Sequence, residues 1–198
     1  MQNEGCPFIV IYDRMFSFDL PVKTLLVYAL IHGYCREGND GWFCYKKLIA
    51  ERLRMQPSGV SRALERLFAD GLITEYRMNG SFTLWTEFDD SGPFIRVYDW
   101  MLSLDLTGIQ LLVFALIHGF SQDGKQCYGR REWIEKKLHI TNVGKVISAL
   151  KAKGFVREVY NPDKSSVLVA SWGGSKIDPP GEHFETKIAG ITFPNLPF

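Results

Sequence analysis

The chain has 198 residues, of which 46% are hydrophobic and 23% charged, and its formal net charge is +1. These values predict a soluble globular protein of one large or two small domains and exclude a disordered or strongly basic chain. The longest apolar run, Leu25–Ile31, is too short to span a bilayer. The first residues lack the basic and apolar segments of a secretory signal, so we expect a cytoplasmic protein.

The charge is unevenly distributed along the chain. Residues 1–92 contain ten Lys and Arg against twelve Asp and Glu, a net charge of −2, whereas residues 93–198 contain thirteen against ten, a net charge of +3. A surface that binds a polyanion must therefore be local, because the molecule as a whole does not attract one.

One line of the sequence occurs twice. The segment LLVYALIHGYC at 25–35 returns 86 residues later as LLVFALIHGFS at 111–121. Three further pairs of segments match in the same order: 8–20 with 94–106, 46–53 with 131–138, and 64–76 with 147–160. Two copies of this length indicate a duplicated domain, since the units of a solenoid are shorter and more numerous. We predict a first domain over 1–92, a second over 93–172, and an irregular Gly- and Pro-rich tail over 173–198.

Both copies show the same predicted elements in chain order. A short extended stretch leads to Asp19 with Pro21, or to Asp105 or Thr107, which supply helix-starting chemistry. Next come an apolar helix, a β-prone stretch, a second helix, a third helix that ends at a glycine, and a hairpin. The predicted helices span 22–33, 46–53 and a segment ending at Asp70–Gly71 in the first copy, and 108–119, 131–138 and a segment ending at Lys153–Gly154 in the second. The hairpins turn at Asn79–Gly80 and at 161–165.

This order is typical of a winged helix-turn-helix domain. The predicted fold class is therefore α+β, mainly α, with two tandem winged helix-turn-helix domains. Each domain would have a three-helix core and a β-hairpin wing. The apolar first helix, which is the repeated line, would be the buried centre of its domain.

Two segments carry a resemblance to a known group. GFSQDGKQCYGRREWIEKKL at 119–138 and VSRALERLFADGLI at 60–73 resemble winged helix-turn-helix domains of bacterial phage-, plasmid- and chromosome-borne replication or regulatory proteins. The resemblance covers roughly residues 8–172 and implies binding to double-stranded DNA, with replication or transcription proteins as further partners, in replication initiation or transcriptional regulation. The two third helices of the chain would act as an intrachain pseudo-dimer that reads two half-sites, as a symmetric dimer does.

The chain departs from the pattern of that group in three ways. Arg54 and His139 follow the second helix where a glycine is usual, and Glu135 replaces the small residue that is Ala50 in the first copy. The second copy is also about two residues shorter between its second and third helices. We therefore expect its third helix to start later and to be the less certain DNA-binding element.

The third helix of such a domain enters the major groove, and the start of the second helix meets phosphates. In the first copy, Val60, Ala63, Leu64 and Leu67 form an inward apolar stripe and leave the polar residues outward. Arg62 suits guanine and Gln56 suits adenine. The predicted DNA contacts are Lys46, Lys47, Gln56, Ser58, Ser61, Arg62, Arg66 and Arg77 in the first copy, and Arg130, Arg131, Asn142, Lys145, Ser148 and Lys151 in the second. The alternative is that these are solvated positions of ordinary amphipathic helices.

No motif points to an enzyme, a cofactor or a metal site. His32 and His118 occupy equivalent places, but each lies near the end of an apolar helix without a carboxylate or cysteine close by in the sequence. We interpret them as structural, and the repeated Tyr12–Asp13 and Tyr98–Asp99 as capping and packing residues. The four cysteines have no paired spacing, which favours free thiols.

The rival hypothesis is a winged-helix module that binds a protein instead of DNA. It is favoured by the near-neutral charge, the acidic wing strands and the fourteen Phe residues. Exposure of Trp85, Trp100, Phe16 or Trp172 would indicate a partner surface.

Two segments of the chain are basic and favour DNA binding: residues 44–66 contain six Lys and Arg against two Glu, and residues 125–153 contain eight against two. If these two basic segments lie on one face, they favour DNA. If they lie on opposed faces, or if their side chains are neutralised in ion pairs, they favour the rival.

Overall fold

A computed structural model describes residues 8–36, 42–43, 46–78, 81–86, 88–89, 91–122, 131–160 and 166–171. The predicted irregular tail, the Asn79–Gly80 turn and Arg130 lie outside these residues. None of the helices in the described ranges has the length and apolar character needed to cross a membrane.

The first half of the chain contains β1 (Phe8–Tyr12), a 3₁₀ helix (Asp13–Phe18), α1 (Val22–Arg36), β2 (Trp42–Phe43), α2 (Lys46–Leu53), α3 (Pro57–Ala69), β3 (Thr74–Met78) and β4 (Ser81–Trp85). The second half contains β5 (Phe94–Tyr98), a 3₁₀ helix (Asp99–Ser103), α4 (Gly108–Gln122), α5 (Arg131–Leu138), α6 (Val143–Ala152), β6 (Val156–Tyr160) and β7 (Ser166–Ala170). The fold is thus α+β, mainly helical with small antiparallel sheets, and is compatible with a winged-helix-like fold.

The starts of the two apolar helices differ from each other. Thr107 caps α4 as predicted: its hydroxyl accepts from the Gln110 amide at 3.3 Å, and the Gln110 side chain accepts from the Thr107 amide at 3.1 Å. The prediction that Asp19 caps α1 is wrong. Asp19 has a φ of 49° and ends the preceding 3₁₀ helix, and Pro21 lies one position before the helix begins.

The third helices end where the glycines predict. Gly71 and Gly154 have φ of 69° and 78°, a left-handed conformation that an L side chain adopts only at a cost. A hairpin follows each glycine: β3 pairs with β4, and β6 pairs with β7, both antiparallel. In the first half β2 also pairs with β4, which completes a three-stranded sheet.

The core is centred on α1 and α4. Residues 25–31 and 111–117 are buried along their whole length, because both helices are apolar on nearly every face. α1 packs against α2 and α3, and α4 packs against α5 and α6. The buried side chains of the two halves form one continuous cluster.

The two halves meet through β1 and β5. These strands pair antiparallel over their full length, from Phe8 opposite Tyr98 to Tyr12 opposite Phe94. Ile9, Ile11 and Val97 are buried beneath the pair, so the strands close the core from one side.

Candidate nucleic-acid interface

The predicted DNA-facing helix of the first half, α3, has one buried and one exposed face. Pro57 occupies its first turn after Gln56, where the missing amide proton costs nothing. The predicted inward residues Val60, Ala63, Leu64 and Leu67 are all buried. Gln56, Ser58, Arg62 and Arg66 are exposed and Ser61 is half-buried. The predicted contacts of α3 are therefore accessible to solvent in whole or in part, whereas its apolar stripe is buried.

The two arginines of this face have different partners. Arg62 makes no ion pair with any residue in the part of the chain that the structure describes. Arg66 donates to the Asp70 carboxylate one turn away, with a nitrogen–oxygen distance of 2.6 Å. An unpaired, exposed guanidinium is available for a phosphate or a guanine without first losing a partner.

The residues predicted at the start of the second helices are also accessible. Lys46 and Lys47 are exposed in α2, and Lys47 approaches Glu51 at 3.8 Å. Arg131 is exposed at the start of α5. Arg77 belongs to β3, but the position of its side chain lies outside what the structure describes.

The second half differs from the first just before its third helix. Arg54 and His139 both have left-handed backbones, with φ of 51° and 52°, which explains why related patterns place a glycine there. Four residues, 56–59, then separate Met55 from Val60 in the first half, whereas only 141–142 separate the equivalent Ile140 and Val143. α6 therefore begins at Val143 and lacks the first turn of α3, as the shorter spacing predicted.

Glu135 compensates for this missing turn. Its carboxylate accepts a hydrogen bond from the Val143 amide at 3.1 Å, so a side chain of α5 caps the start of α6. Asn142, the residue before α6, has a left-handed φ of 61° and makes no side-chain capping bond. Glu135 occupies the position that Ala50 has in the first half. Its carboxylate thus supplies a cap in the half whose connection between the second and third helices is shorter.

The outward face of α6 offers fewer groups to a ligand. Lys145, which aligns with Arg62, is exposed, and Asn142 is exposed beside the helix start. Ser148 donates to the Gly144 carbonyl at 2.9 Å. Lys151 bonds to Glu158 at 2.6 Å, and this hydrogen bond holds the pKa of the Glu158 carboxyl below its usual range.

Two residues of the basic segments lie between the two halves of the molecule and not on the predicted DNA-binding surface. Arg52 of α2 pairs with Asp99 of the second half, and Lys137 of α5 pairs with Asp13 of the first half. Their side chains are only 13% and 18% exposed. The aspartates begin the 3₁₀ helices without a side-chain capping bond, so the capping interpretation of Tyr12–Asp13 and Tyr98–Asp99 is wrong.

Sequence reasoning missed these pairs because their partners lie far apart along the chain. A signal was nevertheless present: each copy has the same aspartate after the same tyrosine, and a basic residue at the same position of its second helix. Among the described residues of the two basic segments, six are in ion pairs: Lys47, Arg52, Arg66, Lys137, Lys151 and Lys153.

The two equivalent histidines lie inside the core. His32 is buried and its Nδ1 lies 3.0 Å from the Thr86 hydroxyl, and burial lowers the pKa of His118. Within the described ranges, no group of three or more His, Cys, Asp or Glu side chains is placed to hold a metal ion. Both positions fit the structural interpretation.

The aromatic residues that would have marked a protein-binding surface are mostly packed. Phe16 is buried, while Trp85 and Trp100 are half-buried against the core. Trp100 stacks on Tyr98 with ring centroids 6.2 Å apart. Trp172 lies outside the described residues. The three that the structure describes therefore form no exposed aromatic patch.

Comparison with known proteins gives little further information. No protein-family model matches the chain, and no curated protein sequence matches it. Among solved structures, it is similar to the crystal structure of ScpB from Mycobacterium tuberculosis, with 16% sequence identity and a TM-score of 0.26. That match covers 77% of this chain and 92% of ScpB. A similarity this low supports no conclusion about function.

Proposed function

We propose that the protein consists of two tandem winged helix-turn-helix domains and binds double-stranded DNA, with α3 as the helix that enters the major groove. Replication initiation and transcriptional regulation are both compatible with this activity. The protein would act as a DNA-binding protein and not as an enzyme.

The observation that supports the proposal best is the exposed face of α3. On this well-packed helix, Arg62 is exposed and has no ion pair with any described residue, while Gln56 and Ser58 are exposed and Ser61 is half-buried. Lys46 and Lys47 begin the preceding helix, where phosphate contacts are expected. Base-edge and phosphate-binding side chains thus occur in the two helices that a helix-turn-helix protein uses.

One experiment tests the proposal directly. Binding of the full chain to fluorescein-labelled random duplex DNA is measured by fluorescence anisotropy over a salt series. We expect affinity to fall steeply with salt, since bound cations are released from the DNA. Arg62→Ala should weaken binding and reduce the salt slope by up to about 0.9.

The matched control is Arg14→Ala. Arg14 is an exposed arginine of the first 3₁₀ helix that pairs with Asp89, so the change removes the same charge from an element other than α3. Its affinity should stay close to that of the parent. Absence of binding near 50 mM salt, or an equal loss in both variants, would contradict the proposal.

The second candidate is a protein-binding module. It is favoured by the ion pairs that neutralise Lys47, Arg66 and Lys151 on the surfaces predicted to meet DNA. Exposed ion pairs are weak, and a polyanion can displace the carboxylate, so we place this candidate second. A flat anisotropy titration at low salt would favour it.

A further inference from the structure

The strand pair between the halves is symmetric. Residues in β1 correspond to residues 86 positions later in β5, and the register pairs Phe8 with Tyr98 and Tyr12 with Phe94. Phe8 corresponds to Phe94 and Tyr12 to Tyr98, so exchanging the halves leaves every pair unchanged. The central pair, Val10 with Arg96, joins two equivalent residues and therefore lies on a two-fold axis.

The ion pairs of the junction follow the same symmetry. Asp13 corresponds to Asp99, and Arg52 corresponds to Lys137. The carboxylate of each half binds the basic side chain of the other half. Reciprocal contacts of this kind are the signature of a two-fold interface, whereas a head-to-tail arrangement would use two different surfaces.

A third contact lies on the axis. Val22 and Gly108 occupy equivalent positions at the starts of α1 and α4, and these two residues touch each other. A Cβ atom on Gly108 would lie 3.0 Å from Val22 Cβ, which is tighter than ordinary packing. The glycine thus permits the close approach of the two helices at the axis.

From these three contacts we infer that the DNA site of this protein is an imperfect inverted repeat, which the single chain binds with its two halves. This inference rests on the proposed function. Duplex DNA has two-fold axes perpendicular to its length, so two helices related by a two-fold contact half-sites in opposite orientations. A direct repeat would require halves related by a translation, which the junction excludes.

The two half-sites differ in sequence preference because the two third helices differ in length and in their exposed side chains. α3 has an additional first turn, and it is the start of this helix that meets base edges. Its Arg62 corresponds to Lys145, which cannot form the bidentate contact of a guanidinium with guanine. The half-site of the first half therefore carries more of the sequence preference.

The test is a selection of DNA by the full chain from a pool of duplexes with about 30 randomised base pairs, which is room for two half-sites. The enriched sequences should be inverted repeats with one half more constrained than the other. A base-pair change in the constrained half should weaken binding roughly 5- to 150-fold, and the symmetry-related change should weaken it less.

Two variants assign the half-sites. Repeating the selection with Arg62→Ala should relax the constrained half and leave the other unchanged, and Lys145→Ala should do the reverse. Enrichment of a direct repeat, of a single half-site, or of no sequence despite binding to random duplex would overturn the inference and leave the proposed function standing. Absence of binding to any duplex would overturn both.

Discussion

The third helices of the two halves share a sequence pattern but differ in what they present to solvent. α3 begins with Pro57, has thirteen residues and carries Arg62, which has no ion pair within the part of the chain that the structure describes. α6 has ten residues, depends on Glu135 for its first cap and holds its last lysine against Glu158. The buried faces of the two helices are equivalent. The two third helices therefore share their packing against the core and differ in the side chains of their exposed faces.

The largest predicted effect tests the equivalence of the buried faces. Leu67 and Leu150 are equivalent and fully buried, so Leu67→Ala and Leu150→Ala should each lower the free energy of unfolding by about 2–5 kcal/mol. Because the buried residues form one cluster, each variant should unfold in a single transition. Urea denaturation followed by tryptophan fluorescence and circular dichroism measures this. Two separate transitions, only one of them shifted, would show that the halves are independent.

The next prediction compares the two ion pairs of the junction. Asp13→Ala leaves Lys137 half-buried without its partner and should lower the free energy of unfolding by about 1–3 kcal/mol. Asp99→Ala should cost less than about 1 kcal/mol, because Asp99 is more exposed and Arg52 keeps its hydrogen bond to the Tyr34 hydroxyl. Urea denaturation of both variants measures the two losses. A larger loss of unfolding free energy in Asp99→Ala than in Asp13→Ala would contradict this prediction.

The cap of α6 gives a smaller effect. Glu135→Ala removes the acceptor of the Val143 amide and should destabilise the protein by about 1 kcal/mol. Glu135→Gln is the matched control, since its amide oxygen can still accept that hydrogen bond. Thermal denaturation of both variants measures the difference. Equal stability of Glu135→Ala and the parent would show that α6 does not need this cap.

The smallest effect concerns pH. Burial holds the pKa of His118 below its ordinary value of about 6.5, so the unfolded chain binds this proton more tightly than the folded one. The resulting stability is fully present above about pH 6.5 and is lost as the pH falls through that value towards the lower folded pKa. His118→Gln should therefore reduce the loss of stability between pH 7 and pH 5, as measured by urea denaturation.

The parent chain, measured over the same pH range, supplies the control for that prediction. An unchanged slope in His118→Gln would contradict the account of His118.

Local patterns in the sequence predict much of the fold. The bounds of α2 and α5, the glycines that end α3 and α6, and the apolar stripe of α3 all follow from periodicity and from backbone preferences. The later start of α6 follows from the spacing of equivalent residues. These features depend on neighbours within a few positions, which is the range over which such patterns carry information.

The junction could not be predicted in the same way. The pairing of β1 with β5 and the contact of Lys137 with Asp13 join residues that are far apart in sequence and carry no local signature. Counting basic residues along the chain therefore places Arg52 and the lysines of α5 in segments predicted to bind DNA. In the structure, Arg52 and Lys137 each bind an aspartate of the opposite half. The pairing of Arg66 with Asp70 is different, because it spans one helical turn and follows the i, i+4 spacing that the sequence shows.

The most direct test of the central claim is a side-by-side DNA titration of Arg62→Ala, Lys145→Ala and the double variant by fluorescence anisotropy at one low salt concentration. Both positions are equivalent and exposed, and each change removes one positive charge. We predict that Arg62→Ala weakens binding several-fold more than Lys145→Ala, because α3 is the main DNA-contacting helix in the proposed function. Equal losses, or a greater loss in Lys145→Ala, would contradict that claim.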